Sequence, residues 1–241
     1  MKLKFIRNIF GKKRYEEIGY ERFITETETY SFLNSFQPNE YHYKVIFYLL
    51  AYIGGRPCEI VKLKLQNFSK DFSYVTLNLN KTAIYGKGYD RRPVIKFVAE
   101  MVEDYVKLNI SNILKHEGYL FYTDNPNSKH EFMQPSSLRW KLIEKRRLLG
   151  INDYIIHKKK HYRFVVYSLR HFFITEVVKK TGSVHIAMQI IGHTSPRTTM
   201  RYVEKLQSEE KLRILENVFS NAKSRLMLPA EQTRLTEITT A

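Results

Sequence analysis

The chain has 241 residues, 43% hydrophobic and 27% charged, a mixture that suits an ordinary globular protein of one large domain or one domain with a small appendage. Its longest nearly apolar run, Val45 to Gly55, is too short to span a membrane, and Arg7 splits the N-terminal stretch that could otherwise form a signal-peptide core, so a cytoplasmic protein is expected. Forty lysines and arginines against 24 acids leave a net charge of +16, which points to a polyanionic partner; nucleic acid leads over acidic lipid because no basic amphipathic helix with a clean apolar face stands out.

In chain order, residues 1–20 are basic and weakly patterned and read as an arm. TETETYSFLNSF (Thr25 to Phe36) is expected to be a helix, with Thr25 or Thr27 as N-cap and acids in its first turn. Pro38 breaks it. A second, largely buried helix is expected from Asn39 to Ala51, ending at Gly54-Gly55, and Arg56-Pro57 starts a third. YVTLNLN (Tyr74 to Asn80) alternates apolar and polar residues as a half-buried strand does, and RPVIKF (Arg92 to Phe97) is the expected return strand. Between them lies a long, basic, glycine-containing turn. Helices are expected again over Val98 to Leu114 and from Ser136 towards Gly150, with a short extended piece at Gly118 to Tyr122. Helical patterning resumes at Ser168, and Ser195-Pro196 marks one more helix start before RTTMRYV. The fold class expected is mainly α with one small antiparallel β-sheet (α+β). Residues 21–228 are expected to form a single domain, with 229–241 as a tail.

Four separated stretches carry residues suited to a phosphate. Arg56 stands at a glycine-to-helix junction. Lys81 and Lys87 lie in the hairpin turn, Arg170 in YSLRHFF, and His193 in IGHTSP. Tyr202 follows His193 by nine residues, inside the last helix. Taken singly each has an ordinary explanation, since the chain contains 17 tyrosines and surface arginines are common. Together they match the needs of phosphodiester transfer. A tyrosine hydroxyl can attack phosphorus and hold the strand covalently, and two arginines can present rigid forks to the extra negative charge of the transition state. A histidine can add a hydrogen bond, and a mobile lysine can protonate the leaving oxygen.

Order and spacing add a resemblance. LAYIGGRPCEIVKLKLQNF resembles the first conserved box of the tyrosine recombinases, the phage-integrase family, with Arg56 and Glu59 on the Arg and Glu of its Thr-Gly-Leu-Arg-x-x-Glu-Leu pattern. YSLRHFFITEVVKKTGSVHIAMQIIGHTSPRTTMRYVEKL resembles the second box through His-x-Leu-Arg-His, Leu-Gly-His and Thr-Thr-x-x-Tyr. The resemblance, running from about Thr25 to Leu215, implies site-specific cleavage and rejoining of double-stranded DNA. Arg170 would then be the second arginine, His193 the second-box histidine and Tyr202 the nucleophile. It implies no cofactor and no metal, a dimer or tetramer on DNA, and room for an accessory DNA-binding factor. Two other readings stand beside it: a DNA-binding protein of this fold with weak or no catalysis, and a type IB topoisomerase-like relaxer.

The chain departs from the pattern in three places. Tyr167 occupies the slot where the family usually has histidine, and its reference pKa near 10 makes it a poor proton shuttle at neutral pH. The hairpin lysine has two candidates: Lys81 keeps the family's usual separation, 25 residues after Arg56, while Lys87 sits 31 residues after it in GKGYDRR, which resembles the Gly-Lys-Gly-x-x-x-Arg turn of Xer-type members. Members also carry an N-terminal helical domain that closes around DNA, and here only the basic arm precedes the match, so a shortened chain, a minimal arm or a partner in its place are all open. HKKKHYR (His157 to Arg163) has two histidines four apart, a zinc spacing on a helix, but three intervening lysines repel a cation and a DNA-backbone patch fits better. Apolar residues at helical spacing after Tyr202 (Leu212, Leu215, Val218, Phe219) predict a C-terminal helix, packed either on its own domain or on a neighbouring copy.

Overall fold

The computed structural model describes residues 24–79, 88–151, 154–156, 159–161 and 164–192. Helix α1 (Glu26–Asn34) begins where its cap predicts: the Thr25 hydroxyl accepts the Glu28 amide at 3.1 Å, and the Glu28 carboxylate accepts the Thr25 amide at 3.0 Å. Pro38–Glu40 forms one 3₁₀ turn rather than an irregular break. Helix α2 (Tyr41–Ile53) follows at once. Val45, Ile46, Phe47, Leu49, Leu50, Ala51 and Ile53 are all buried, so α2 is enclosed on nearly every side and forms the axis of the core. It packs against both α4 (Lys96–Lys115) and α6 (Val166–Thr181). Phe32 lies at its centre, meeting Phe36, Phe47 and Phe164 edge-on with centroids 4.8–5.3 Å apart.

Helix α3 (Pro57–Ile60) starts at the proline but lasts a single turn. Strands β1 (Tyr74–Asn78) and β2 (Tyr89–Pro93) then form an antiparallel pair, with Tyr74 opposite Pro93 and Asn78 opposite Tyr89. The return strand therefore begins three residues before the expected Arg92. It also ends earlier: the Val94 amide still donates to the Ser73 carbonyl (2.8 Å), but Lys96–Phe97 already belong to α4. Gly118–Tyr122 makes only isolated bridges, Lys64 to Tyr119 and Tyr122 to Phe132, rather than a strand.

Helix α5 (Pro135–Leu148) carries two buried cations towards α1. Lys145 binds the Ser35 carbonyl (3.0 Å) and the Glu40 carboxylate, and Arg146 Nη1 donates to the Phe164 carbonyl at 3.0 Å. A second antiparallel hairpin, β3 (Tyr154–Ile156) and β4 (Lys159–His161), was not expected; it puts part of the basic run in a strand, where the helical histidine spacing has no meaning. The fold is mainly helical as expected, but with two small sheets among the described residues instead of one. Helix α6 begins two residues before Ser168. It then turns through Gly182 into α7 (Val184–Ile191), and the two share a small apolar cluster of Ile174, Val178, Ala187 and Ile191. The expected helix containing Tyr202, the C-terminal helix, the N-terminal arm and the tail lie outside the described residues.

Candidate active site

The site is built where three chain reversals meet. At the first, α2 ends on Gly54 in the left-handed region (φ 66°), which a side chain enters only with strain. Space forbids one as well: a Cβ on Gly54 would lie 2.4 Å from Cδ1 of Phe173 on α6. This close approach fixes where α2 hands over to Arg56. Arg56 precedes α3, and Glu59 at the third helical position folds back onto it, accepting the Arg56 amide at 2.7 Å and Nη1 at 2.6 Å. Burial works against the guanidinium charge, but Glu59 outweighs it and raises the Arg56 pKa above its ordinary value. Glu59 itself is buried, so the pair is held in one geometry and Arg56 keeps the rest of its fork for another partner.

The second reversal is the start of α6. Arg170, one turn into it, is 1% exposed, and its Nη1 donates to the carbonyl of Gly54, 116 residues away in sequence. The two arginines named from the sequence thus converge on a single turn. Arg170 has its pKa lowered, first by burial and then by the adjoining guanidinium of Arg92, with Arg56 adding to the effect and Tyr167 opposing it. Tyr167 is 37% exposed, interacts electrostatically with both Arg56 and Arg170, and meets the His171 ring edge-on at 4.9 Å.

The third reversal is the end of α7 at Gly192 (φ 64°), where a Cβ would lie 2.8 Å from Oδ2 of Asp90 on β2. Sequence reasoning passed over Asp90 and its neighbour Arg92. Arg92 is as buried as Arg170; its Nε donates to Asp90 (2.7 Å), its Nη1 to the Ile53 carbonyl (2.8 Å) and its Nη2 to the Ile191 carbonyl (2.8 Å). The only signal for it in the sequence was the arginine that closes the Gly-Lys-Gly-x-x-x-Arg turn. Of the residues named from the sequence, the structure brings Arg56, Tyr167 and Arg170 together. Lys81, Lys87, His193 and Tyr202 lie outside the described residues, although β1 and β2 lead into and out of the lysine-bearing turn and Gly192 directly precedes His193.

Among the described residues three guanidinium groups (Arg56, Arg92, Arg170) lie beside two carboxylates (Glu59, Asp90), a surplus of cationic donors that suits a phosphate better than a neutral ligand. A sequence profile of the phage integrase family matches residues 16–209. The chain belongs to the phage integrase family. A tyrosine recombinase of Thermosipho africanus is 28% identical over 192 residues, covering 78% of this chain and 59% of its own, and tyrosine recombinase XerA of Pyrococcus horikoshii is 27% identical over 185 residues, 73% and 56% respectively. This integrase-family chain therefore spans somewhat under two thirds of the curated relatives' length. Among solved structures its fold resembles XerA recombinase (TM-score 0.60, 23% identity, covering 81% of this chain and 64% of that one). It also resembles XerH recombinase bound to its difH substrate (TM-score 0.58, 16% identity, 87% and 59%). Among the described residues no helix is long and apolar enough to cross a membrane, and no cluster of histidine, cysteine and acidic side chains could hold a metal ion.

Proposed function

We propose that this chain is the catalytic part of a site-specific DNA recombinase that cuts and rejoins strands through a 3′-phosphotyrosyl link at Tyr202. In this reading the Tyr202 hydroxyl gives up its proton to water as its oxygen attacks phosphorus, the bond to the 5′ oxygen breaks, and the departing oxygen takes a proton from the ammonium of Lys81 or Lys87. Arg56 and Arg170 neutralise the two non-bridging oxygens as charge builds, and His193 adds a hydrogen bond. One phosphodiester is exchanged for another, so religation by a free 5′ hydroxyl reverses the step with no energy source. Residues 21–228 make up the catalytic domain, 1–20 a basic arm and 229–241 a tail. The partners are duplex DNA and further copies of the chain, two or four on one DNA assembly, in keeping with a solved lambda integrase dimer bound to its core site. An accessory DNA-binding factor is a further candidate partner. The DNA places the chain in the cytoplasm.

The observation that carries the reading is the convergence of Arg56 and Arg170 on the Gly54 turn. Arg170→Ala tests it: strand cleavage should be abolished while most salt-sensitive DNA binding remains, and cleavage at the wild-type rate refutes the assigned role. One observation favours a second reading. Tyr167, in place of the family's histidine, supports a DNA-binding protein of this fold with weakened chemistry, and covalent trapping on DNA separates the two.

A further inference from the structure

The Arg92 guanidinium, buried on β2, is joined to both the end of α2 and the end of α7, and we infer that Arg92, oriented by Asp90, is a positioning residue that sets the Arg56–Arg170 turn and the Gly192 end of α7 relative to each other. The inference rests on the reading above and adds to it a residue that touches no substrate. Each of its three nitrogens is already engaged inside the protein, Nε and Nη2 by Asp90, Nη1 by the Ile53 carbonyl and Nη2 by the Ile191 carbonyl as well, so the fork is committed to the fold rather than to a phosphate. Its donors instead go to main-chain carbonyls at the ends of two helices: Ile53, the last residue of α2, and Ile191, the last residue of α7, which lie 39 and 99 residues away in sequence. Those carbonyls are orphan acceptors with the negative end of a helix dipole behind them, a favourable seat for a cation.

Two further contacts make the arrangement directional. Asp90 holds the guanidinium through Nε and Nη2, both at 2.7 Å, which fixes the plane of the fork and hence which donor faces which carbonyl. The same carboxylate lies against Gly192, so β2 also packs against the end of α7. On the other side, the carbonyl that follows Ile53 is Gly54's, and it is taken by Arg170. Two buried arginines thus hold consecutive carbonyls of one turn, and a shift of Arg92 moves the acceptor of Arg170. Strand β2, the end of α2 and the end of α7 thus meet at this one side chain. A planar fork with donors in three directions serves this purpose; a lysine ammonium reaches fewer partners at once.

The test uses the full chain carrying Arg92→Met, Arg92→Lys or Asp90→Asn, with two readouts. The first is amide hydrogen exchange without DNA. Arg92→Met should speed exchange in peptides covering residues 53–57 and 188–195 together while α4 stays as in wild type, Asp90→Asn should affect mainly the second peptide, and Arg92→Lys should fall between wild type and Arg92→Met. Faster exchange confined to the β1–β2 hairpin, or to one turn only in Arg92→Met, overturns the inference. The second readout is covalent adduct formation on nicked duplexes drawn from DNA flanking the gene. Arg92→Met should slow it by about 10²-fold at saturating DNA, the scale of a catalytic group misplaced by about an ångström. Arg92→Lys should recover part of that loss. The slope of log Kobs against log salt should stay at the wild-type value, because Arg92 neutralises no phosphate. A shallower slope in Arg92→Met makes Arg92 a DNA contact and overturns the positioning role. A wild-type protein that forms no adduct overturns the recombinase reading alone, since hydrogen exchange reports the coupling of the two turns by itself.

Discussion

Replacing Gly54 by alanine tests the geometry of the site at its tightest point. Two separate costs fall on that methyl group. The left-handed conformation (φ 66°) costs an L-residue about 1–2 kcal/mol. The Cβ would also sit 2.4 Å from Phe173 Cδ1, and forcing extra volume into a packed contact of this kind costs about 1–3 kcal/mol more. Together these destabilise the protein by roughly 2–5 kcal/mol, a loss of roughly 4–20 °C in Tm for a domain of this size. Gly182 isolates the first cost, because it has nearly the same dihedral (φ 64°) with nothing within 4 Å of its Cβ position. Gly182→Ala should therefore lose only the conformational part. Urea unfolding of both variants and of wild type measures the difference, and Phe173→Leu combined with Gly54→Ala should recover part of it non-additively. Because the Gly54 carbonyl is the acceptor for Arg170, Gly54→Ala should also lower strand cleavage, whereas Gly182→Ala should not. Equal stability losses for the two glycine variants refute the argument from Phe173.

Further outcomes follow from the same structure. Tyr167→His puts an imidazole, which exchanges protons readily near neutral pH, beside Arg56 and Arg170 in place of a phenol, and cleavage near pH 7 should rise by about tenfold or more; an unchanged or slower rate means Tyr167 does not hold the proton-handling position. Glu40 is an acid-sensitive joint between the 3₁₀ turn and α5. Burial pushes its pKa up, but hydrogen bonds from Lys145, the Gln37 amide and Lys141 prevail and lower it from 4.5 to about 2. A lowered folded-state pKa gives stability that is present above about 4.5 and lost as pH falls towards 2, so Glu40→Gln should flatten the acid limb of the stability curve in that window. A Glu40→Gln curve parallel to wild type below pH 4.5 contradicts the assignment.

The parts of the fold that could be read from the sequence are those governed by neighbours in the chain. The Thr25–Glu28 box, Pro57 at a first helical position and the glycines beyond α2 and α5 are local devices, and each acts where the sequence puts it. Arg56 and Arg170 were legible because they sit inside long motifs. Arg92 was not, since its partners are two main-chain carbonyls 39 and 99 residues away, and a carbonyl leaves no trace in the sequence. The β3–β4 hairpin was missed for a different reason: strands of three residues show too little alternation, and the lysines of HKKKH mask it. The early end of β2 was hidden because the apolar Val94 and Ile95 extended the apparent strand towards residues that α4 takes up from Lys96.

The central claim is that the Tyr202 oxygen becomes covalently bound to DNA. Wild-type protein and Tyr202→Phe, each incubated with nicked suicide duplexes from DNA flanking the gene, with chelator and no added metal, should differ in one respect. Wild type should yield a denaturation-resistant protein–DNA adduct that maps to the Tyr202 peptide, and Tyr202→Phe should yield none. An adduct that persists in Tyr202→Phe, or wild-type protein that binds these duplexes and forms no adduct, contradicts the account.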